Sequence, residues 1–362
     1  MSKLIVKVVR INKIYNHPNA DRLSIIEMDG NSWSCIVGRN QYKLGSLVVF
    51  TPPDSVIPEN LIEEYKLEFL KKCGRVGTVK LRKCISQGLI LNIPEGKKWK
   101  EGKEVSKELG ITKYEPPVKR TSLNSGKQPT KKKRNPLFDK YTDIENIKNY
   151  NTVFKDGESV VITEKIHGTN FRAGNLPRYR DNLWGKLLAF LFGKYEFVYG
   201  SHRVQKTPMN RKMGFYGEDV YGRIAKKYKL KEIIPPNYIL YGEIYGAGIQ
   251  ELEYGMNDID VAFFDVKYKD KYLDSIDYAK FCGERNLPMV PLLYIGEYRE
   301  EDLIKYTQRS SILAFRLCKE DNIAEGCVVK SEKEEYTHTV GRKILKSINP
   351  EYLARKNRTE YH

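Results

Sequence analysis

The sequence predicts an α+β chain: a small N-terminal β-barrel, a basic linker, and a larger mixed α/β domain built on antiparallel sheets. Three observations predict it. Short β-rich runs punctuated by turn residues fill residues 1–114. Residues 116–136 then carry seven basic side chains, no acidic one and almost nothing to bury. Beyond them, buried-strand runs alternate with helical periods. A length of 362 residues suits two domains, and 40% hydrophobic with 11% aromatic residues supplies real cores, which excludes a disordered chain.

Taken in order, the strands expected in the first domain (1–114) are Leu4–Val9, Leu23–Ile26, Trp33–Val37, Leu47–Phe50 and Leu89–Leu91. Asp29-Gly30, Gly45 and Pro52-Pro53 supply the turns, and one helix is expected over Pro58–Lys72. The linker (115–137) includes Lys131-Lys132-Lys133-Arg134, which suits a nuclear signal, a phosphate tether or a solvated hinge. In the second domain (138–362), Val160–Thr163, Tyr238–Tyr241, Val261–Phe264 and Cys327–Val329 read as buried strands. Helical patterns cover Leu273–Arg285 and Glu300–Leu317. The stretch Gly174–Phe197, with Arg178, Tyr179, Arg180 and Trp184, reads as an insertion that either caps the core or touches substrate.

The balance of 63 Lys+Arg against 46 Asp+Glu, a formal +17, calls for a polyanionic partner, nucleic acid before an acidic membrane surface. No apolar run nears the roughly 18 residues of a membrane span, and no secretory core opens the chain, so an intracellular protein is expected, cytoplasm and nucleus not being distinguished. The six cysteines (35, 73, 84, 282, 318, 327) form no CxxC and no zinc-spaced Cys/His pair, and read as reduced thiols.

The segment that points to chemistry is Thr163-Glu164-Lys165-Ile166-His167-Gly168-Thr169-Asn170. A strand runs into Lys165, and Gly168 permits a tight turn where backbone approaches a ligand. A lysine so placed becomes a nucleophile if nearby cations favour its free amine; otherwise it is an ordinary surface lysine. Tyr241-Gly242-Glu243-Ile244-Tyr245-Gly246 puts a carboxylate between glycines at the end of an apolar strand, which needs a ligand, metal or basic partner. Phe264 beside Asp265 suits either base stacking or core packing. Glu325-Gly326-Cys327-Val328-Val329-Lys330 brackets a strand with an acid and a base, and Arg342-Lys343-Ile344-Leu345-Lys346 offers lysines to a phosphate.

In this order the elements resemble the covalent nucleotidyltransferases, the superfamily of polynucleotide ligases and capping enzymes. Lys165-Ile166-His167-Gly168 is similar to its KxDG/KxHG motif, and the histidine, with Glu164 before and Thr169-Asn170-Phe171 after, is similar to the RNA ligase 2 class. Ser201-His202-Arg203 stands where that class carries its SR-type motif. His17-Pro18-Asn19-Ala20-Asp21-Arg22-Leu23, with Val37-Gly38 and Gly45–Phe50, resembles the OB-fold module of tRNA-binding proteins; the His17 loop reads as a turn that shapes the barrel. An OB module ahead of a ligase domain is the arrangement of nick-sealing RNA ligases. No second OB module follows before His362, so the barrel and linker are expected to hold the substrate.

The resemblance implies an ATP-dependent enzyme, monomeric, acting with Mg²⁺ or Mn²⁺ on nicked duplex nucleic acid with RNA at or near the 3′-hydroxyl end. It implies catalytic roles for Lys165, His167, Lys330 and Lys346, with lysyl-AMP formed at Lys165. It implies nucleotide contacts from Glu164, Ile166, Gly168, Asn170, Arg203, Glu243, Phe264, Lys330 and Lys346, and a metal ligand in Glu325. Two departures stand out. Where the class ends Lys-x-Lys, this chain has Lys346-Ser347-Ile348, leaving Lys343 or nothing as the second cation. Glu325 and Lys330 are also an odd number of residues apart, so one must sit past a strand end or at a bulge. The rival readings are a DNA ligase, a GTP-dependent capping enzyme, or an inactive nucleic-acid-binding protein.

Overall fold

In a computed structural model, residues 3–71, 74–115, 135–178, 190, 193–206, 219–252, 254–318 and 322–355 are described. The N-terminal runs form β1 (Lys7–Asn16), β2 (Leu23–Met28), β3 (Ser34–Gly38), β4 (Leu47–Thr51), β5 (Ser55–Val56), β6 (Thr78–Leu81), β7 (Cys84–Gln87), β8 (Leu89–Leu91) and β9 (Thr112–Lys113). Five of them make an antiparallel sheet in the order β3-β2-β1-β4-β8. The β6–β7 hairpin nearly closes it into a barrel: Ser86 Oγ accepts from Ile36 N and Cys35 Sγ donates to Gln87 O. Gly88 bends the strand between β7 and β8, with φ +87° and no room for a Cβ, which would lie 2.7 Å from the Phe50 ring.

The barrel interior holds Val9, Ile11, Ile26, Met28, Trp33, Val48, Phe50 and Ile90. Its other side packs Val8 and Val49 against α1 (Glu59–Glu64) and the 99–111 segment, so β4 is apolar on both faces. β1 begins three residues later than expected and runs to Asn16, because its pairing with β2 outlasts the apolar run and carries exposed Arg10 and Lys13. The helix expected over Pro58–Lys72 is shorter: Lys66 turns left-handed (φ 54°) after α1 and a 3₁₀ turn, Glu68–Leu70, follows.

The remaining elements are β10 (Glu145–Asn146), β11 (Ser159–Glu164), β12 (Thr169–Pro177), β13 (Tyr195–Gly200), β14 (Gln205–Lys206), β15 (Tyr238–Gly246), β16 (Ile259–Tyr268), β17 (Lys271–Tyr272), β18 (Leu292–Glu297), β19 (Gly326–Ser331), β20 (Tyr336–Thr337), β21 (Gly341–Arg342) and β22 (Ile344–Ile348). Helices α2 (Val220–Lys227), α3 (Leu230–Ile233), α4 (Ser275–Gly283), α5 (Leu303–Thr307), α6 (Ile312–Cys318) and α7 (Pro350–Leu353) intervene. Two sheets result, β10-β22-β19-β11-β18 and β14-β13-β12-β15-β16-β17. Their facing sides meet where Ile344 and Val328 pack with Ile239, Tyr241 and Phe264. The second sheet's far side is covered by α2, α3 and α4.

The helix expected over Glu300–Leu317 is broken at residues 308–311, where Ser311 N bonds to Asn322 O instead of continuing the helix. Most of the expected linker (116–134 of 115–137) and most of the expected insertion (179–189, 191–192) lie outside the described residues; β12 and β13, which flank the latter, pair antiparallel. Cys35, Cys84, Cys282 and Cys327 are free thiols, in keeping with the reading of reduced cysteines. Among the described residues, no helix is long and apolar enough to cross a membrane.

Candidate active site

Strand alternation builds one wall of a pocket of about 760 Å³. Lys330 pairs with Val161 on one side and Ile344 on the other, and Val328 pairs with Thr163 and Lys346, so these residues share one face of the first sheet. Lys165, next in step after Val161 and Thr163, follows the end of β11 on that same side; its N–H bonds to Gly326 O at 3.0 Å. The sheet's opposite face is dry core, with Val160, Ile162, Val329 and Leu345 packed on Phe154 and Tyr298.

The second sheet supplies the facing wall. Asn170 on β12 pairs with Glu243 on β15, and both line the pocket. On β16 the register passes from Tyr241↔Asp265 to Gly242↔Phe263, which leaves Phe264 as an unpaired bulge residue turned into the pocket, edge-on to Tyr141 at 4.8 Å. Gly168 lets the motif reach this wall: a Cβ there would lie 2.1 Å from Ile244 O. It thus approaches β15 closely while lining the pocket. Arg172, buried in β12, donates to Ser201 O and Phe138 O and so fixes both rim segments, including exposed Arg203.

Charge in the pocket is arranged in opposed pairs. Lys165 Nζ lies 2.8 Å from Glu325 Oε1, so its direct partner is an anion, with Lys330 and Lys346 on the same pocket face. Burial pushes Glu243 up to about 8, against the pull of Lys165 and with Glu325 adding to the rise. Lys330 Nζ is buried with no hydrogen-bond partner among the described residues, 3.8 Å from Asp265 and over the Tyr278 ring. Burial works to raise the carboxyl of Asp265, but Arg342 at 2.7 Å and then Lys330 hold it below the usual range. At the rim, burial and then the field of Lys140, Arg172 and Arg203 push His202 down to about 4.

Of the residues singled out in the sequence, Glu164, Lys165, Ile166, Gly168, Asn170, Arg203, Glu243, Phe264, Lys330 and Lys346 all line this pocket. Three assignments change in detail. The Glu164 carboxylate accepts from Ser311 Oγ and from the Ile312 and Leu313 N–H groups, so it caps α6. His167 is not a wall residue. Its imidazole is buried beneath α7, with Nδ1 2.9 Å from Tyr352 Oη and 3.7 Å from Glu325 Oε2, and the backbone N–H of His167 donates to Tyr254 Oη. Glu325 is nearly fully buried behind Lys165, just before β19, as its odd spacing from Lys330 required. Lys343 is bound to Glu158 and Glu335, at 2.8 and 3.0 Å, and Ile348 packs in the core beside Ile166 and Tyr352.

Sequence reasoning named Asp265 and Arg342 without giving them a role, and missed Tyr141, Tyr254 and Tyr352. Each is held through contacts far along the chain, and only the buried polar positions of Asp265 and Arg342 within apolar strands gave any local sign.

The RNA ligase family model matches residues 158–348, more than half of the chain, and an OB-fold domain model matches residues 5–93. Among solved structures, Naegleria gruberi RNA ligase with ATP and Mn is similar at 22% identity and TM-score 0.70, covering 96% of this chain and 98% of that one. The same ligase with PPi gives TM-score 0.70 at 22% identity, over 97% and 98%. Among curated proteins, the phenylalanine–tRNA ligase beta subunit of Leptospira interrogans is 39% identical over 71 residues, 19% of this chain; the chain spans 9% of that relative's length. At such identity the solved structures speak for a shared fold. With the family model running from the start of β11 to the end of β22, through both walls of the pocket, the chain belongs to the RNA ligase family.

Proposed function

We propose that this chain is an ATP-dependent ligase that seals 5′-phosphate/3′-hydroxyl nicks in duplex nucleic acid, with RNA at or near the 3′-hydroxyl, through lysyl-AMP at Lys165. The observation that carries the reading is Lys165, Lys330 and Lys346 on one face of a pocket whose other wall offers Asn170, Glu243 and Phe264. The Naegleria ligase held with ATP and Mn supports it by likeness of fold.

In this reading the triphosphate lies on the lysine face and adenine packs against Phe264, with Glu243 and Arg203 toward the ribose. The Lys165 amine gives up a proton, for which Glu325 at 2.8 Å is an acceptor, and attacks the α-phosphorus. An N–P bond forms as the bond to pyrophosphate breaks. AMP then passes to the 5′-phosphate, and the 3′-hydroxyl displaces it. Lys330 and Lys346 stabilise charge on the nonbridging oxygens. His167 is a positioning residue that orients Glu325.

The donor chemistry suits Mg²⁺ or Mn²⁺. No group of three His, Cys, Asp or Glu side chains is gathered among the described residues, but such ions take one or two carboxylates and complete their shell with phosphate oxygens and water. Glu325 and Glu243 would hold the ion, which would neutralise phosphoryl charge. Residues 1–114 would serve as the OB domain and 138–362 as the monomeric catalytic domain, joined by 115–137.

The test is incubation with α-³²P ATP or GTP and a divalent metal, then a denaturing gel. Label from ATP, abolished in Lys165→Ala, is expected. Label from GTP would move the reading to capping, and no label would favour a binding protein. Sealing of nicked duplexes with RNA or DNA at the 3′-hydroxyl side then identifies the strand requirement.

A further inference from the structure

The β6–β7 hairpin of the barrel turns on two residues, since Leu81 pairs directly with Cys84. Those two residues, Arg82 and Lys83, both have left-handed φ, 46° and 73°. Such a turn is normally filled by Asn-Gly or Asp-Gly, because a side chain pays a steric penalty there. Here the two costly positions carry two cations. The strain is held from outside by the His17–Arg22 loop, whose contribution the catalytic reading does not use. His17 Nδ1 accepts from Asn19 N at 3.1 Å, which leaves Nε2 to donate to Leu81 O at 3.2 Å. Asn19 Nδ2 donates to Arg82 O at 3.0 Å. The buried imidazole and the amide thus clamp two successive carbonyls, Leu81 O and Arg82 O, where the chain enters the turn.

The tip cations also stand apart from the paired cations of the neighbouring strands. Exposed Arg10, Lys13 and Lys103 are paired with Glu101, Glu27 and Glu108. Arg82 and Lys83 are exposed, and neither side chain makes an ion pair or hydrogen bond among the described residues. The clamping loop adds exposed Arg22, whose carbonyl accepts from Arg39 N, alongside the acid Asp21. One residue below the tip strand's end, Lys80 reaches Glu351 of α7 at 2.8 Å, and the next residue of that helix, Tyr352, contacts His167. The hairpin is therefore tied to the helix that backs the nucleophile motif.

We propose that the Arg82–Lys83 tip is a preformed contact for two backbone phosphates of the nicked RNA duplex, holding the duplex against the barrel while its nick lies at the Lys165 pocket. It rests on the ligase reading above. Fixed turn geometry spares the ordering cost that two flexible cations would otherwise meet on binding.

The experiment replaces the tip with the relaxed pair, Arg82→Asn with Lys83→Gly, and measures affinity for a synthetic nicked RNA duplex by anisotropy over a salt series. The expected result is a log–log salt slope smaller by roughly 1–2 and weaker binding at low salt, with a melting temperature equal to or above the parent's. The exchange Arg82→Lys with Lys83→Arg keeps the charges and should keep the slope. Should the Asn-Gly variant melt below the parent, Lys83→Gln alone should still reduce the slope by about half as much. Unchanged slope and affinity in these charge-removing variants would overturn the proposal while leaving the ligase reading intact. A parent protein that forms protein–AMP yet binds no duplex would overturn it too, and one that forms no protein–AMP fails the ligase reading on its own terms.

Discussion

Replacing Glu243 by glutamine should remove a pH dependence of stability that originates in the pocket. Burial holds this carboxyl at about 8, Lys165 opposing the rise and Glu325 adding to it. An unfolded glutamate titrates near 4.5. Between those values the folded protein keeps a proton that the unfolded chain has lost, so unfolding free energy falls as pH rises. The contribution is whole below about 4.5 and gone above about 8. At about 1.4 kcal/mol per pH unit, the interval sets an upper bound of about 5 kcal/mol, and water in the open pocket reduces it to about 2 kcal/mol. The Gln variant keeps the shape and lacks the titration. Melting curves of both proteins without nucleotide, from pH 5 to pH 9, should therefore diverge, the variant gaining on the parent by roughly 4–8 °C toward the alkaline end. Parallel curves would mean that Glu243 is solvated and ionised throughout, and that the electrostatic account of the pocket is wrong.

Two further substitutions test the walls. Asp265→Asn takes the anion from between Arg342, Tyr141 and Lys330, at 2.7, 2.7 and 3.8 Å, leaving Glu334 as a remaining partner of Arg342. Breaking such a buried pair costs about 3–5 kcal/mol, so thermal unfolding should drop by roughly 10 °C, with protein–AMP formation slowed because Lys330 loses its support. An unchanged melting point would show the network to be dispensable. Gly168→Ala would drive a Cβ to 2.1 Å from Ile244 O, a backbone atom that cannot yield without parting β12 from β15. Adenylylation should fall at least a hundredfold while melting drops by only a few degrees, about 1–3 kcal/mol of overpacking being absorbed locally; near-parental labelling with α-³²P ATP would refute the assigned close approach.

What the sequence disclosed follows the reach of each interaction. The lysine face was legible in part because β-strands alternate: Lys330 had to point with Val328, and the odd offset required that Glu325 or Lys330 leave the strand, which Glu325 does just before Gly326 (φ 150°) begins β19; that Lys346 joins them is a matter of register. The bulge that aims Phe264 depends on cross-strand register, which no local pattern records. The continuous helix expected over Glu300–Leu317 failed because Glu164, nearly 150 residues upstream, caps a separate helix at Ile312. Glycine at 168 was read correctly as a point of close approach, but its neighbour turned out to be a strand. In the barrel, apolar runs placed β2, β4 and β8 well, whereas β1 was misjudged where pairing, not burial, sustains it.

The histidine of the nucleophile motif has an electrostatic reason that only the packed structure discloses. Glu325 lies behind Lys165, and Glu243 feels the charge of both, so two carboxyl groups already stand about one amine. At 3.7 Å from Glu325, a further carboxylate at position 167 would add like charge in a buried setting, raising the proton affinity of its neighbours and weakening the Lys165–Glu325 pair. An imidazole avoids that. It meets Tyr352 through Nδ1, packs edge-on to the same ring at 5.5 Å, and takes its backbone support from the Tyr254 hydroxyl. The nucleophile's partner is thereby linked to α7, and through Glu351 and Lys80 to the barrel hairpin, by contacts that do not pass through the pocket. In this chain the histidine belongs to the scaffold around Lys165, and the proposed chemistry needs it only there.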